Sequence, residues 1–410
     1  MTPTAHTPTI AVLREDKRPP DARVALTPRQ VARLRKSGYD VVVQPSAHRC
    51  YSDEEYRKLG IPLQEDVSDR QLLLGIKEVP IDRLIAGKTY CNFAHVAKYQ
   101  AYNQALLRAL LDKHIRHIDY EYLTDAAGKR LIAFGYWAGM VGAHNGLYAY
   151  GERTGAFSLP RLHTLRDYAE AKRVYAALQL PERLRVVLTG TGRVGAGAAR
   201  VLCDIGLRKV TPDEFLADPE GAVFTQLTVE RYVRHRDGKA VTRKHFYRHG
   251  EEYESAFGAY ATTADVFVNG IFWDGRAPAF FTREDMGDPS FNIQTIADVT
   301  CDIAPLASVP STLKASTIEE PVFGYDPATG KEVAAYQPGA IDVMSIDNLP
   351  SELPRDASKA FGDILIEKIL PEFDKEQSDI LLRATITQDG QLGPRFTYLA
   401  DFAAGSGTKA

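Results

Sequence analysis

The segment VVLTGTGRVGAGAARVLCDIG, residues 186–206, is an apolar run that breaks into glycines and resumes as a small-residue helical pattern. At such a strand-to-helix junction Gly190 permits the tight turn, Gly192 lets the backbone approach a pyrophosphate, and Gly195 lets the helix pack closely on the strand. The phosphate then meets the free N–H groups of a helix N-terminus. Arg193 and Val194, inside the turn, join the three glycines as expected cofactor contacts. The next strand, RKVTPD, ends on Asp213, about where a ribose-binding carboxylate belongs. An N-cap for EFLADP is the competing role for Asp213. The turn begins with nearly half the chain already spent, so another unit must precede it.

That earlier unit reads as alternating strand and helix. TIAVLRE, DVVVQPS, LLLGIKE, TYCNFAH and IRHIDYE are short β-rich runs, separated by helical stretches such as TPRQVARLRKSG and QAYNQALLRALLDKH. This alternation predicts a parallel sheet, and 410 residues are too many for one ordinary core. The expected fold is α/β, with two Rossmann-like doubly wound parallel-sheet domains and a cleft between them. Residues 1–135 form the substrate domain, completed by a return at about 345–410, and residues 136–344 form the dinucleotide domain. LIAFGYWAGMVGAHNGLYAYGERTG reads as a helix crossing between them, with FGYWAGM as interdomain packing. The stretch 214–264 is too hydrophilic for core and is expected to be an insertion. The last residues, AAGSGTKA, are expected to fray.

Composition excludes several classes. Hydrophobic residues are 44% and charged residues 25%, with a net charge of −3, the balance of a soluble globular chain without a nucleic-acid face. No apolar run of membrane-spanning length occurs, and the start lacks a signal-like pattern. A cytoplasmic location, a small-molecule amino-acid substrate, no nucleic acid, no membrane, and a monomer or small homo-oligomer are expected. Cys50, Cys91, Cys203 and Cys301 stand far apart and read as reduced and mostly buried. No metal is expected: His245 and His249 are four apart without a third ligand and read as solvated surface. His114 and His117 read as helix-end residues, and His144 has no visible partner.

In the first domain charged residues sit where the strand patterns end: Arg14 and Arg23, Lys77 and Glu78, His95 and Lys98, and Glu121. The C-terminal ends of parallel strands form the ligand crevice. REDKRPPDARVALTP, GIKEVP, FAHVAK, IDYEYL, AFGYWAGMVG, TGTGRVGAGA, VNGIFW, ADVTCDIAP, ASTIEEPVF and SIDNLPSELPRDAS carry a resemblance over nearly the whole chain. They resemble the L-lysine-forming saccharopine dehydrogenases and the lysine-ketoglutarate reductase half of the aminoadipic semialdehyde synthases, within the alanine dehydrogenase and transhydrogenase superfamily.

The resemblance implies a reversible oxidoreductase reaction in which saccharopine, NAD (or NADP) and water give L-lysine, 2-oxoglutarate and reduced cofactor. It implies Lys77 and His95 as the acid–base pair, with Glu78 and Glu121 as carboxylates that tune it. It implies Arg23 on a substrate carboxylate, with Arg14 and Lys98 also on substrate. Arg130 would meet cofactor phosphates or substrate, and Asn269, Gly270, Asp298 and Val299 would lie on the cofactor side. Val194 replaces a cysteine of the fungal enzymes, so no regulatory disulfide is expected there. Asp213 favours NAD, whereas Arg208 and Lys209 would suit a 2′-phosphate. Oxidative deamination of a small amino acid as in alanine dehydrogenase, NADPH-dependent reduction toward saccharopine, and a nucleotide sensor without turnover are the competing functions.

Overall fold

The computed structural model describes residues 7–18 and 21–405. The chain divides into two compact units, Met1–Ala133 with Pro354–Ala410, and Phe134–Leu353.

The first unit opens with strands β1 (Ile10–Val12), β2 (Val41–Val43), β3 (Leu72–Lys77), β4 (Thr89–Phe93) and β5 (Arg116–Asp119). The second contributes β6 (Arg183–Thr189), β7 (Arg208–Val210), β8 (Gly221–Leu227), β9 (Val233–His235), β10 (Tyr253–Ser255), β11 (Val266–Asn269) and β12 (Thr295–Asp298). It continues with β13 (Phe323–Asp326), β14 (Lys331–Val333) and β15 (Ile341–Met344), and the chain ends in the first unit with β16 (Thr385–Gln388) and β17 (Gln391–Leu392).

The first unit's sheet has the order β17-β16-β5-β4-β3-β1-β2. Its five leading strands are parallel, and β16 joins β5 antiparallel. β1 and β2 are buried at every position, the continuous apolar pattern of a parallel sheet covered on both faces. The second sheet has the order β14-β13-β15-β12-β11-β6-β8-β7, and only β13 runs against the rest. The architecture is mixed α/β, with two parallel-dominated, Rossmann-like sheets.

Several expectations are corrected. Residues 214–264 are not an insertion outside the fold: β8 lies within the sheet, between β6 and β7. Phe215, Phe224, Tyr253 and Phe257 from this stretch are fully buried. Aromatic residues supply the apolar area that the many charges around them hide from a composition reading. FGYWAGM packs inside the second unit. A Cβ on Gly139 would stand 1.9 Å from Val194 O, and one on Gly197 would stand 1.9 Å from Tyr136 O. The helices Gly135–Thr154 and Arg193–Ile205 therefore touch backbone to backbone. His117 belongs to β5 and is buried, its Nε2 2.9 Å from Asn92 Oδ1. His144 has partners, Tyr175 Oη at 2.8 Å and the Pro160 carbonyl at 2.9 Å. Of the four free cysteines only Cys91 is buried, and Cys203 is exposed. Of the tail expected to fray, Ala403 and Ala404 close a helix and residues 406–410 lie outside the described residues. Among the described residues no helix is long and apolar enough to cross a membrane.

Candidate active site

β3 and β4 end side by side in the first unit, with Lys77 in register with Phe93. His95 follows two residues later in the left-handed region, φ 56°, a conformation that costs a non-glycine residue energy and persists only where its surroundings enforce it. Asp119, at the end of the neighbouring β5, supplies that enforcement. It accepts from the backbone N–H of Ala94 (3.3 Å), His95 (3.1 Å) and Glu121 (2.8 Å). Burial pushes the Asp119 carboxyl up from its ordinary range. Sequence reasoning missed Asp119. The available signal was an aspartate two residues before Glu121 at a strand end, the spacing of a side chain that caps its own turn.

Glu121 gathers three basic side chains. Its Oε2 lies 3.0 Å from His95 Nδ1 and 3.1 Å from Lys98 Nζ, and its Oε1 accepts from Arg130 at 2.7 Å. Burial opposes its charge, yet His95, Lys98 and Arg130 outweigh that and hold the carboxyl at about 2. Because the folded-state pKa is depressed, the Glu121 contribution to stability is complete above the unfolded value of roughly 4.3 and disappears as pH falls toward about 2. Melting curves of Glu121→Gln and the parent should therefore differ at pH 6 and converge between pH 4 and pH 2. A constant difference would contradict this ionisation. Arg130 stands here with Glu121, also donating to its carbonyl at 3.1 Å.

Beside this cluster, Arg23 is 3% exposed and Asp21 binds it through both oxygens, at 3.0 and 2.6 Å. Lys77 is mostly withdrawn from solvent, and burial followed by the Arg23 charge pushes its pKa down. Glu78 pairs through Oε1 with Lys17 at 2.7 Å, while its buried Oε2 has no partner among the described residues. Arg14 is not drawn in: it holds Glu65 at 2.8 and 2.6 Å and pairs with Asp16. Lys77, Glu78, His95, Lys98, Glu121, Arg130 and the Asp21–Arg23 pair thus lie around the ends of β3, β4 and β5 and the β1 loop.

The glycine turn in the second unit is tight and closely packed. Gly190 has φ 92°, and a Cβ there would meet Gly270 O at 2.4 Å; one on Gly195 would meet Gly190 O at 2.0 Å. At Gly192 a Cβ would meet nothing. Gly192 caps the 13-residue helix Arg193–Ile205 without a side-chain hydrogen bond. Thr189, Asn269 and Asp298 form a row across the ends of β6, β11 and β12. Thr189 Oγ1 donates to Asn269 Oδ1 at 3.0 Å, and Asn269 Nδ2 donates to Asp298 Oδ1 at 2.9 Å and to Ser308 Oγ at 2.9 Å. Asp298 further accepts from Thr300 and Thr312 at 2.7 Å each. The side chains of Asn269 and Asp298 are therefore spent on fixing strand ends, and the N–H groups of Gly270 and Val299 are engaged as well, by Thr189 O at 3.1 Å and Asn269 O at 3.0 Å.

Asp213 is not beside the turn strand. It sits in the helix Pro212–Leu216 after β7, and β8 separates β7 from β6. Its exposed carboxylate pairs with Arg231 at 2.7 and 3.2 Å. The strand that adjoins β6 ends in Gln226 and Leu227; Gln226 donates to Gly190 O at 2.9 Å and accepts from Lys209 Nζ at 2.8 Å. Asp213→Ser should leave NADH binding within about threefold, since β8 stands between β7 and the turn strand. A tenfold loss in a fluorescence titration would restore Asp213 as a ribose ligand.

His245 gains neighbours that the sequence did not reveal, His235 and Glu252. His235 Nδ1 accepts the Asp237 N–H at 3.1 Å, so Nε2 carries the proton and donates to Glu252 Oε2 at 3.1 Å. With both ring nitrogens engaged, the corner holds β9 against β10 by hydrogen bonds.

The family described as alanine dehydrogenase/PNT, N-terminal domain, matches residues 11–141. The chain is 30% identical to the saccharopine dehydrogenase [NAD(+), L-lysine-forming] of Neurospora crassa, over 92% of this chain and 95% of that protein. It is 30% identical to the mitochondrial alpha-aminoadipic semialdehyde synthase of Rattus norvegicus over 96% of this chain and 48% of that protein. The chain thus spans about half the length of the synthases it matches. A solved L-alanine dehydrogenase superposes with a TM-score of 0.66 at 17% identity, over 96% of this chain and all of that one.

Proposed function

This chain belongs to the L-lysine-forming saccharopine dehydrogenase family, and from that premise we propose that it is an NAD-dependent oxidoreductase interconverting saccharopine with L-lysine and 2-oxoglutarate. The observation that carries the proposal is the grouping of Lys77, His95, Glu121 and Arg23 at the strand ends of one unit, in a chain whose other unit has a dinucleotide turn. A binding-only sensor has no use for such a proton-handling set.

The Gly190–Gly195 turn and the N-terminus of the helix Arg193–Ile205 would hold the pyrophosphate. Bound there, NAD supplies a hydride acceptor for the carbon beside the secondary amine. Lys77, its pKa lowered by burial and by Arg23, gives up its proton more readily than an ordinary lysine and so can take one from the substrate amine. Loss of hydride from that carbon leaves a substrate imine, which water attacks. His95, oriented by Glu121, takes the proton of the attacking water and returns one to the departing lysine nitrogen. Arg23, held by Asp21, would supply the positive charge for a substrate carboxylate. Lys98 and Arg130 add positive charge on the same side through Glu121.

An absorbance assay at 340 nm with saccharopine, with L-alanine, and in reverse with L-lysine plus 2-oxoglutarate tests the reading, using NAD and NADP in turn. Turnover with saccharopine and NAD is expected, and activity confined to alanine would overturn it. Cytoplasmic residence belongs to the same proposal and is tested by cell fractionation.

A further inference from the structure

β1 stops before β3 does. Leu13 N still donates to Leu74 O at 2.9 Å, but β1 itself ends at Val12 while β3 continues through Gly75 and Ile76 to Lys77. On the opposite side the register with β4 slips, from Leu74 facing Cys91 to Lys77 facing Phe93. Three steps along β3 match two along β4, the signature of a bulge, which bends a strand and re-aims the side chains beyond it. The N–H groups of Ile76 and Lys77 would face no strand at this point. Both are taken by one side chain: Glu15 Oε1 accepts from Ile76 N at 2.6 Å and Oε2 accepts from Lys77 N at 2.8 Å.

We propose that Glu15 is a positioning residue for Lys77: its carboxyl group stands in for the missing length of β1, holds the bulge, and thereby fixes where the Lys77 ammonium stands. The inference rests on the reading of Lys77 as an acid–base group. Several features single Glu15 out from an ordinary loop acid. Its two oxygens serve two successive N–H groups of the strand that carries Lys77. Asp21 and Arg23, the other charged groups around Lys77, also act on Glu15, and burial with Asp21 raises its carboxyl to about 8. Such a carboxyl is retained against a cost, which its two backbone hydrogen bonds offset.

The test is Glu15→Gln in the full chain, compared with the parent and with Lys77→Met. Glutamine keeps the length but offers one acceptor, and its NH2 group opposes the second backbone N–H. The expected result is a kcat lowered about 10–100-fold, as for small misplacements of a catalytic group. The KM for the dinucleotide should be unchanged, and the limb of the pH–rate profile that Lys77→Met abolishes should be displaced. Should Glu15→Gln fail to fold, Glu15→Asp, which keeps both acceptors on a shorter stem, is read in the same way. A folded variant with parental kcat and an unmoved limb overturns the proposal, whatever its melting temperature. If Lys77→Met itself retains parental turnover, the acid–base reading of Lys77 fails instead, and the two failures are told apart.

Discussion

His95→Gln turns over saccharopine about 10²–10⁴-fold more slowly than the parent, with dinucleotide affinity unchanged, because a positioned acid–base group contributes a factor of that size. The proposed reaction needs protons moved twice, off the secondary amine before hydride departs and between water and the lysine nitrogen afterwards. His95 suits the second of these transfers, because its backbone is locked in the left-handed region by Asp119 and its Nδ1 faces Glu121. Glutamine keeps a polar group of similar reach, so Glu121 retains a partner and the loss falls on proton transfer. Lys77→Met should cost a similar factor. If the two act as a unit, the double variant should fall by much less than the product of the single losses. Steady-state and dinucleotide-binding measurements on the four proteins decide this. Parental turnover by a folded His95→Gln would remove His95 from the mechanism.

Residues that sit on strand ends were legible in the sequence, and those whose spatial order departs from chain order were not. Lys77, His95 and Glu121 were legible because each closes a β-rich run, and parallel strands bring such ends together. Gly190 and Gly195 were legible because each has a steric reason on a short stretch of chain, whereas nothing crowds Gly192. Asp213 was misplaced because β7, next in sequence, is not next in space; β8 takes that place. The same step hid β8 itself within a segment whose charges masked its buried aromatics. Asp119 and Glu15 act on backbone N–H groups; Asp119 leaves only the cue of its turn-capping spacing, and Glu15, serving a strand 61 residues away, leaves none. Arg14, at the end of the first β-run like the others, is taken up by Glu65 through a contact 51 residues away that composition cannot reveal.

Asp21→Ala should destabilise the protein by about 3–5 kcal/mol, the cost of removing one partner from a buried ion pair. Both members are nearly inaccessible, and the pair has two side-chain hydrogen bonds, at 3.0 and 2.6 Å, beside the 2.9 Å bond from Arg23 N to the same carboxylate. Burial disfavours the Asp21 charge, but Arg23 overrides it and holds the carboxyl well below the usual range. A depressed folded-state pKa means that this stabilisation is complete above the unfolded value of roughly 3.9 and is lost only as pH falls further. Urea unfolding at pH 7 should therefore show the full deficit, and at pH 2 a smaller one. Arg23→Met combined with Asp21→Ala should recover part of the loss, since the buried guanidinium is then gone. Turnover carries an independent sign, because Asp21 opposes the fall in the Lys77 pKa that burial and Arg23 produce. Its removal should move the Lys77 limb of the pH–rate profile to lower pH. A variant that loses less than 1 kcal/mol and keeps that limb in place would show that Asp21 neither anchors Arg23 nor tunes Lys77.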